Sequence, residues 1–216
     1  MLPSLARVFD VLRRRRAATA AVAGLAGLAV AAGLYGTGRE PGNGACAASG
    51  PALARLAPLA RGEVAAFQVG KGPALAPAVT FEGPDGRRVT LADFHGRTVL
   101  LNLWATWCEP CKREMPALDA LETQLGGPGF AVVAVNIDTR NLDRPRAWLK
   151  EAGVARLPFY SDREARIFQD LRNAGDTEGL PVTLLIDPAG CRLGRLAGWA
   201  EWASPDAVAL VRAALP

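Results

Sequence analysis

The sequence is poor in histidine and cysteine, the side chains that most often bind zinc. Its 216 residues contain one histidine, His95, and four cysteines. Two of the cysteines, Cys108 and Cys111, form a C-x-x-C pair, which as half of a zinc site would need two further ligands. The remaining candidates are Cys46, Cys191 and His95, and none of them is paired at ligand spacing. The sequence therefore predicts neither a metal site nor a cofactor.

Outside its N-terminal tail the chain also lacks net charge. The first 16 residues carry five arginines against one acid, Asp10, and account for the whole formal charge of +4. The other 200 residues hold 20 basic and 20 acidic side chains. A folded part without net charge has no global field that attracts polyanions, so nucleic acid is not expected as a partner.

An uncharged run rich in Ala, Val, Leu and Gly follows the basic tail, from residue 17 to residue 38. As a helix, a run of this length can cross a hydrocarbon core of about 30 Å. The arginines before it predict a single-pass anchor in a bacterial inner membrane, with residues 1–16 in the cytoplasm and the chain after Gly38 in the periplasm. A cleaved signal peptide is the alternative, although the run is longer than the apolar region usual in such peptides.

The rest of the chain divides into an extension, residues 39–73, and a domain, residues 74–216. The extension begins as a Gly- and Pro-containing linker and continues with helical spacing of leucines, which Pro58 should kink. In the domain, strands are predicted at 78–81, 88–91, 98–105, 130–137, 182–187 and 191–197, and helices at 109–124, 143–152, 163–173 and 204–215. Alternating strands and helices followed by a terminal hairpin and helix indicate an α/β fold, with a mixed sheet between helices.

The C-x-x-C pair lies where a buried strand ends and a helix begins. This placement puts Cys108 at the helix N-terminus, where unpaired amides and the macrodipole favour thiolate over thiol. A thiolate is the attacking species in disulfide exchange, so Cys108 is predicted to attack and Cys111, one turn deeper, to resolve the mixed disulfide. Pro110 should stiffen the small ring that a disulfide between the two cysteines closes. The negative charge of Glu109 should oppose thiolate formation at Cys108. Trp107 is expected to give the site apolar cover, together with Trp104.

The other two cysteines, Cys46 and Cys191, are far apart in the sequence. In an oxidising compartment, two leftover cysteines most simply form a structural disulfide, which would strap the extension onto the domain. A second redox pair that shuttles electrons is the sharper alternative. Neither cysteine has an aromatic, proline or helix-start neighbourhood like that of Cys108, which favours the structural bond.

The stretch W-C-E-P-C-K-R-E-M-P at residues 107–116 resembles the thioredoxin superfamily in its strand–helix setting. Within it, the anchor, the helical extension and N-I-D-T-R at 136–140 are similar to the TlpA-type branch of membrane-anchored thiol-disulfide interchange proteins. The resemblance implies a thioredoxin fold over about residues 74–214, with Pro181 as the cis-proline beside the active-site disulfide. It also implies that Glu114 tunes the thiols, against the alternative of an exposed helix charge. Asn102 occupies the position at which thioredoxin keeps a buried Asp as proton acceptor, which leaves Glu114 as the candidate for that task.

By the same resemblance, we expect an enzyme that reduces cysteine pairs of partner proteins in cytochrome oxidase copper assembly or cytochrome c maturation. Electrons would come from a membrane donor. A disulfide-forming oxidase is an alternative within the same chemistry. A peroxidase is another, but its pattern requires a threonine three residues before the cysteine, and Thr106 lies two before Cys108. A non-catalytic, metallochaperone-like docking module is the alternative from a different class.

Overall fold

A computed structural model describes residues 44–215, and in this part of the chain eight strands form one mixed sheet. The strands are β1 Gln68–Val69, β2 Thr80–Glu82, β3 Arg88–Thr90, β4 Thr98–Trp104, β5 Phe130–Asn136, β6 Tyr160–Ser161, β7 Val182–Ile186 and β8 Arg192–Ala197. Their order in the sheet is β1-β8-β7-β4-β5-β6-β2-β3. The α-helices are α1 Gly50–Leu56, α2 Glu109–Leu125, α3 Arg144–Glu151, α4 Arg166–Asn173 and α5 Pro205–Ala213.

The two central strands, β4 and β5, run parallel and are buried along their whole length. Their sequences, TVLLNLW and FAVVAVN, are almost continuously apolar and rich in β-branched residues. Such sequences suit a strand that is covered by helices on both faces of the sheet. The predicted α/β fold with a mixed sheet is confirmed, since β7 and β8 pair antiparallel beside the parallel strands.

The sheet brings two chain segments together at one of its edges. Strand β4 ends at Trp104, and the chain then reaches Cys108 at the start of α2. Strand β7 runs the other way, so its first residue, Val182, pairs with Leu103 near the end of β4. The peptide bond before Pro181 is cis, and this turn leads directly into β7. The cysteine segment and the Pro181 turn therefore lie at the same end of neighbouring strands.

The described part of the N-terminal extension, from residue 44 on, packs against α5 and β8. Helix α1 ends at Leu56, and two 3₁₀ turns, Ala57–Leu59 and Gly62–Val64, follow it, as the position of Pro58 predicts. Phe67, which is buried, then lies so close to β8 that a Cβ on Gly194 would approach its ring to 2.5 Å. Sequence patterns did not predict β1, whose two residues pair only with β8.

The predicted membrane anchor, residues 17–38, and the basic tail before it lie outside the described residues. Among residues 44–215, no helix is long and apolar enough to cross a membrane.

Candidate active site

Cys108 and Cys111 are joined by a disulfide at the N-terminus of α2, with their Cα atoms 5.3 Å apart. Cys108 is the N-cap residue, and its Sγ accepts a hydrogen bond from the Cys111 amide at 3.3 Å. The exposed fraction is 6% for Cys108 and 0% for Cys111. Only Cys108 can therefore be reached from outside, and its position at the helix N-terminus, with the Cys111 amide donating to its sulfur, stabilises a thiolate.

The residues between and beside the cysteines modify this picture in two ways. The carboxylate of Glu109 is exposed and lies 2.6 Å from the Lys112 ammonium, so the expected opposition to the thiolate is partly compensated. The Trp107 side chain is 67% exposed, and the apolar cover that it is expected to give the cysteines stays a prediction. Trp104 is buried and packs against Trp148 with 5.6 Å between ring centroids. Trp107 thus presents an aromatic surface to solvent next to Cys108.

Glu114 is a buried carboxyl group, not an exposed helix charge. It lies three residues after Cys111 on α2, and residues at this spacing share one face of a helix. Its Oε1 accepts a hydrogen bond from Asn102 Nδ2 at 2.8 Å. Its Oε2 accepts one from the Ala200 amide and one from Trp202 Nε1, each at 3.2 Å.

Burial raises the pKa of Glu114 from its ordinary value of 4.5 to about 7. The three hydrogen bonds favour the charged carboxylate and lower the pKa, but the loss of hydration is the larger effect. A carboxyl group with such a pKa exchanges its proton near neutral pH, as a group that accepts and returns protons must.

Asn102, which cannot itself carry a proton, holds Glu114 from the central strand. Its Nδ2 also donates to Thr183 Oγ1 at 3.0 Å, so the amide bridges β4 and β7 below α2. Within the described residues, the buried Asn102 Oδ1 accepts no hydrogen bond.

The Pro181 turn forms one flank of the site. The carbonyl of Pro181 accepts a hydrogen bond from the Gly198 amide at 2.9 Å, which fixes this turn to the segment after β8. Trp199 follows, 47% exposed, with the Arg113 guanidinium 4.9 Å above its ring. The cis peptide bond agrees with the prediction for Pro181, and Trp199 borders the same surface.

The opposite flank is formed by Thr106 and the segment after β5. Asp138 accepts hydrogen bonds from the Thr106 amide and the Thr106 hydroxyl, each at 2.8 Å. It accepts a third from Asn136 Nδ2 at 2.7 Å. The segment leading into Cys108 is thereby fixed to the end of the neighbouring strand.

The second cysteine pair, Cys46 and Cys191, also forms a disulfide, with a sequence separation of 145 residues and a Cα–Cα distance of 5.7 Å. Both residues are fully buried. The bond links the extension to the hairpin of β7 and β8, as a structural disulfide would.

Sequence reasoning identified the two cysteines, Pro181 and the candidate proton carrier, but it missed the groups that hold Glu114. Trp202 and Ala200 lie more than 80 residues beyond Glu114 in the chain, so no local pattern could connect them. The Asn102–Thr183 contact, likewise between residues 81 apart, follows only from the register of β4 and β7. Over residues 44–215, no group of three or more His, Cys, Asp or Glu side chains could hold a metal ion.

Comparison with known proteins relates the chain to thiol-disulfide enzymes. It is 35% identical over 115 residues to the thiol-disulfide oxidoreductase ResA of Bacillus subtilis strain 168, which covers 53% of this chain and 61% of ResA. It is 46% identical over 115 residues to the thioredoxin-like protein YneN of the same organism, covering 53% of each protein. The matched part therefore spans less than two thirds of either relative.

Solved structures support the same relationship. A protein from Chlorobium tepidum, provisionally named thiol:disulfide interchange protein DsbE, superposes with a TM-score of 0.55 at 30% identity, over 65% of this chain and 94% of that one. The thioredoxin domain of a thiol-disulfide oxidoreductase from Bacteroides vulgatus superposes with a TM-score of 0.54 at 25% identity, over 64% and 94%. The fold is thus thioredoxin-like. The model of the AhpC/TSA family matches residues 74–191, more than half of the chain and the part that contains Cys108 and Cys111, so the chain belongs to the AhpC/TSA family.

Proposed function

We propose that the chain is a thiol-disulfide oxidoreductase of the TlpA type that reduces disulfides in partner proteins. The observation that carries the proposal is the Cys108–Cys111 disulfide at a helix N-terminus, with the buried carboxyl group of Glu114 one turn further along the same helix. The names of ResA and of the two superposed proteins support the activity, and the reducing direction rests on the resemblance to TlpA-type proteins.

The reaction follows from the accessibility of the two sulfurs. In the reduced protein, the Cys108 thiolate attacks one sulfur of a substrate disulfide, and the other substrate sulfur leaves as a thiolate. Cys111 then loses its proton and attacks Cys108 Sγ, which releases the second substrate sulfur. Two electrons have passed to the substrate, and the protein holds the Cys108–Cys111 disulfide. A dithiol donor at the membrane must reduce this disulfide before the next cycle.

Glu114 has the properties required to take the proton of Cys111. Its side chain lies on the same face of α2 as Cys111, is buried away from water, and has a pKa of about 7. Proton transfer is most effective when the pKa of the acceptor lies near the working pH. Asn102 fixes the carboxyl group through one hydrogen bond, and the Ala200 amide and Trp202 fix it through two more.

The proposed setting is the periplasmic face of a bacterial inner membrane, with residues 17–38 as a single-pass anchor. Suitable substrates are cysteine pairs of proteins in cytochrome oxidase assembly, or of apocytochrome c. The basic tail, the uncharged run and the resemblance to TlpA-type proteins support this assignment. A buried disulfide between Cys46 and Cys191 fits an oxidising compartment.

The midpoint potential of the Cys108–Cys111 couple tests the proposal. It is measured by tryptophan fluorescence in glutathione buffers of graded potential, with a Cys108→Ser/Cys111→Ser variant as the control that should show no transition. A value near that of thioredoxin, about −270 mV, supports a reductase. A value near −120 mV, that of a strong oxidant, reverses the direction to disulfide formation. The absence of any transition that depends on both cysteines refutes the enzymatic function.

A further inference from the structure

A pocket of about 270 Å³ opens directly beside Cys108, on the Thr106 flank of the site. Thr106 and Trp107 line one side of it, and residues 138–141 and Arg144 line the other. Cys108 itself does not line the pocket, but Trp107 immediately precedes it in the chain, so whatever enters the pocket contacts the residue beside the attacking cysteine. The reaction described above gives this pocket no task.

The pocket has a fixed shape because hydrogen bonds hold its two sides together. Asp138 accepts hydrogen bonds from both the amide and the hydroxyl of Thr106. These bonds join the segment after β5, which forms one wall of the pocket, to the segment before Cys108. Asn141 turns the chain with a φ of 52°, and its carbonyl accepts the Arg144 amide at 2.8 Å where α3 begins. Asparagine is among the few residues other than glycine that adopt this conformation readily.

The residues that line the pocket carry a net charge of +1, two arginines against the carboxylate of Asp138. Arg140 and Arg144 are exposed, and among residues 44–215 neither has a carboxylate partner within 4.0 Å. The carboxylate of Asp138 also lines the pocket, but it is buried and its oxygens accept three hydrogen bonds. Asp143 is exposed next to Arg144 in the chain and pairs with neither arginine. The positive N-terminal end of α3, at Arg144, adds to the same potential.

We propose that this pocket binds an acidic side chain, Asp or Glu, that lies beside the reactive cysteine of the substrate protein. This inference rests on the proposed function and adds a substrate class to it. Arg140 and Arg144 would bind the carboxylate, and the exposed ring of Trp107 would contact the neighbouring apolar part of the substrate segment. At about 270 Å³ the pocket lies below the range of about 300–1,000 Å³ typical of small-molecule sites, and it suits a single side chain.

Charge selection in this pocket is tested on the first step of the reaction. The pre-reduced protein is mixed with an excess of short peptides that contain one disulfide and carry Glu, Gln or Lys next to the cysteines. The second-order rate constant is followed by tryptophan fluorescence. The wild-type protein should react about tenfold faster with the Glu peptide than with the Lys peptide at low salt, and the preference should shrink as salt is added. Arg140→Glu/Arg144→Glu should abolish or reverse the preference, and Arg140→Gln/Arg144→Gln should give an intermediate ratio.

Arg55→Glu/Arg212→Glu is the matched control, because it changes the net charge by the same amount at exposed sites. Arg55 Nε donates a hydrogen bond to the Ala213 carbonyl at the end of α5. The next carbonyl, that of Ala214, accepts a hydrogen bond from the hydroxyl of Thr98, the first residue of β4. The seven residues of β4 separate this end of the sheet from the cysteines by about 20 Å. The control should therefore keep the wild-type ratio.

A neutral small disulfide, 2-hydroxyethyl disulfide, separates the two ways in which the experiment can fail. If the reduced protein does not react even with this compound, the oxidoreductase function is refuted and the substrate class falls with it. If it reacts, but shows no preference between the Glu and Lys peptides, only the acidic-substrate inference is overturned. An equal loss of the preference in Arg55→Glu/Arg212→Glu would also overturn it, because the effect would then come from overall charge.

Discussion

The substitution Glu114→Gln tests the central electrostatic argument, that a buried carboxyl group on α2 titrates near neutral pH. Burial raises the pKa of Glu114 from 4.5 to about 7, so the folded protein binds this proton more tightly than the unfolded chain does. The resulting stabilisation is complete below about pH 4.5 and is lost as the pH rises to about 7. At 1.36 kcal/mol per pKa unit, the difference amounts to about 3 kcal/mol of unfolding free energy. Glutamine cannot ionise, so the variant should lack this fall.

The assay is urea denaturation of the oxidised protein at a series of pH values from 4.5 to 8.5, read by tryptophan fluorescence. The informative quantity is the difference between wild-type and variant unfolding free energies at each pH, because other titrating groups cancel in it. Glu109→Gln removes the same charge from an exposed site of the same helix and serves as the control. Parallel profiles for wild type and Glu114→Gln would refute the raised pKa, and with it the argument that Glu114 carries the proton of Cys111.

Two further predictions concern a side chain that holds Glu114 and the disulfide that holds the extension. Trp202→Phe removes a hydrogen bond that lowers the pKa of Glu114, so the pH-dependent fall in stability should extend to higher pH than in the wild type, in the same denaturation series. Cys46→Ala/Cys191→Ala opens a loop of 145 residues and should lower the unfolding free energy by about 5 kcal/mol in the chain-entropy model. The double variant should keep its reactivity toward 2-hydroxyethyl disulfide, and a loss of reactivity in protein that is still folded would assign the bond a redox role.

The parts of the fold that sequence alone predicts are those with a strong local signal. Strands β4 and β5 are continuous apolar runs, and the boundaries predicted for them differ from the observed ones by one residue. Helix α2 is equally well marked, because Cys108 and Pro110 begin it and Gly126 ends it, where a Cβ would lie 2.3 Å from the Glu122 carbonyl. Strand β1 has no such signal, since two residues become a strand only through pairing with β8.

The residues of the site likewise differ in whether a local sequence signal predicts them. The cysteines are recognisable because their chemistry depends on close neighbours in the chain, whereas Pro181 was predicted through the resemblance to the thioredoxin superfamily. The environment of Glu114 depends on Trp202 and Ala200, which the fold delivers from the segment before α5. The exposure of Trp107 was also unpredictable, because an aromatic residue beside a cysteine pair suits a cover and a contact surface equally well, and only the course of the chain after β4 decides between them.

The Cys46–Cys191 bond has a mechanical consequence for a chain held by its N-terminus. A pulling force on that end enters the domain at Cys46 and crosses the covalent bond directly to Cys191. The bond closes a loop of the 144 residues in between, which include α1, the central strands and both reactive cysteines. Because the covalent bond carries the force, these residues are not stretched. If the proposed anchor holds the N-terminus, this bond protects the domain against being unfolded from its attached end.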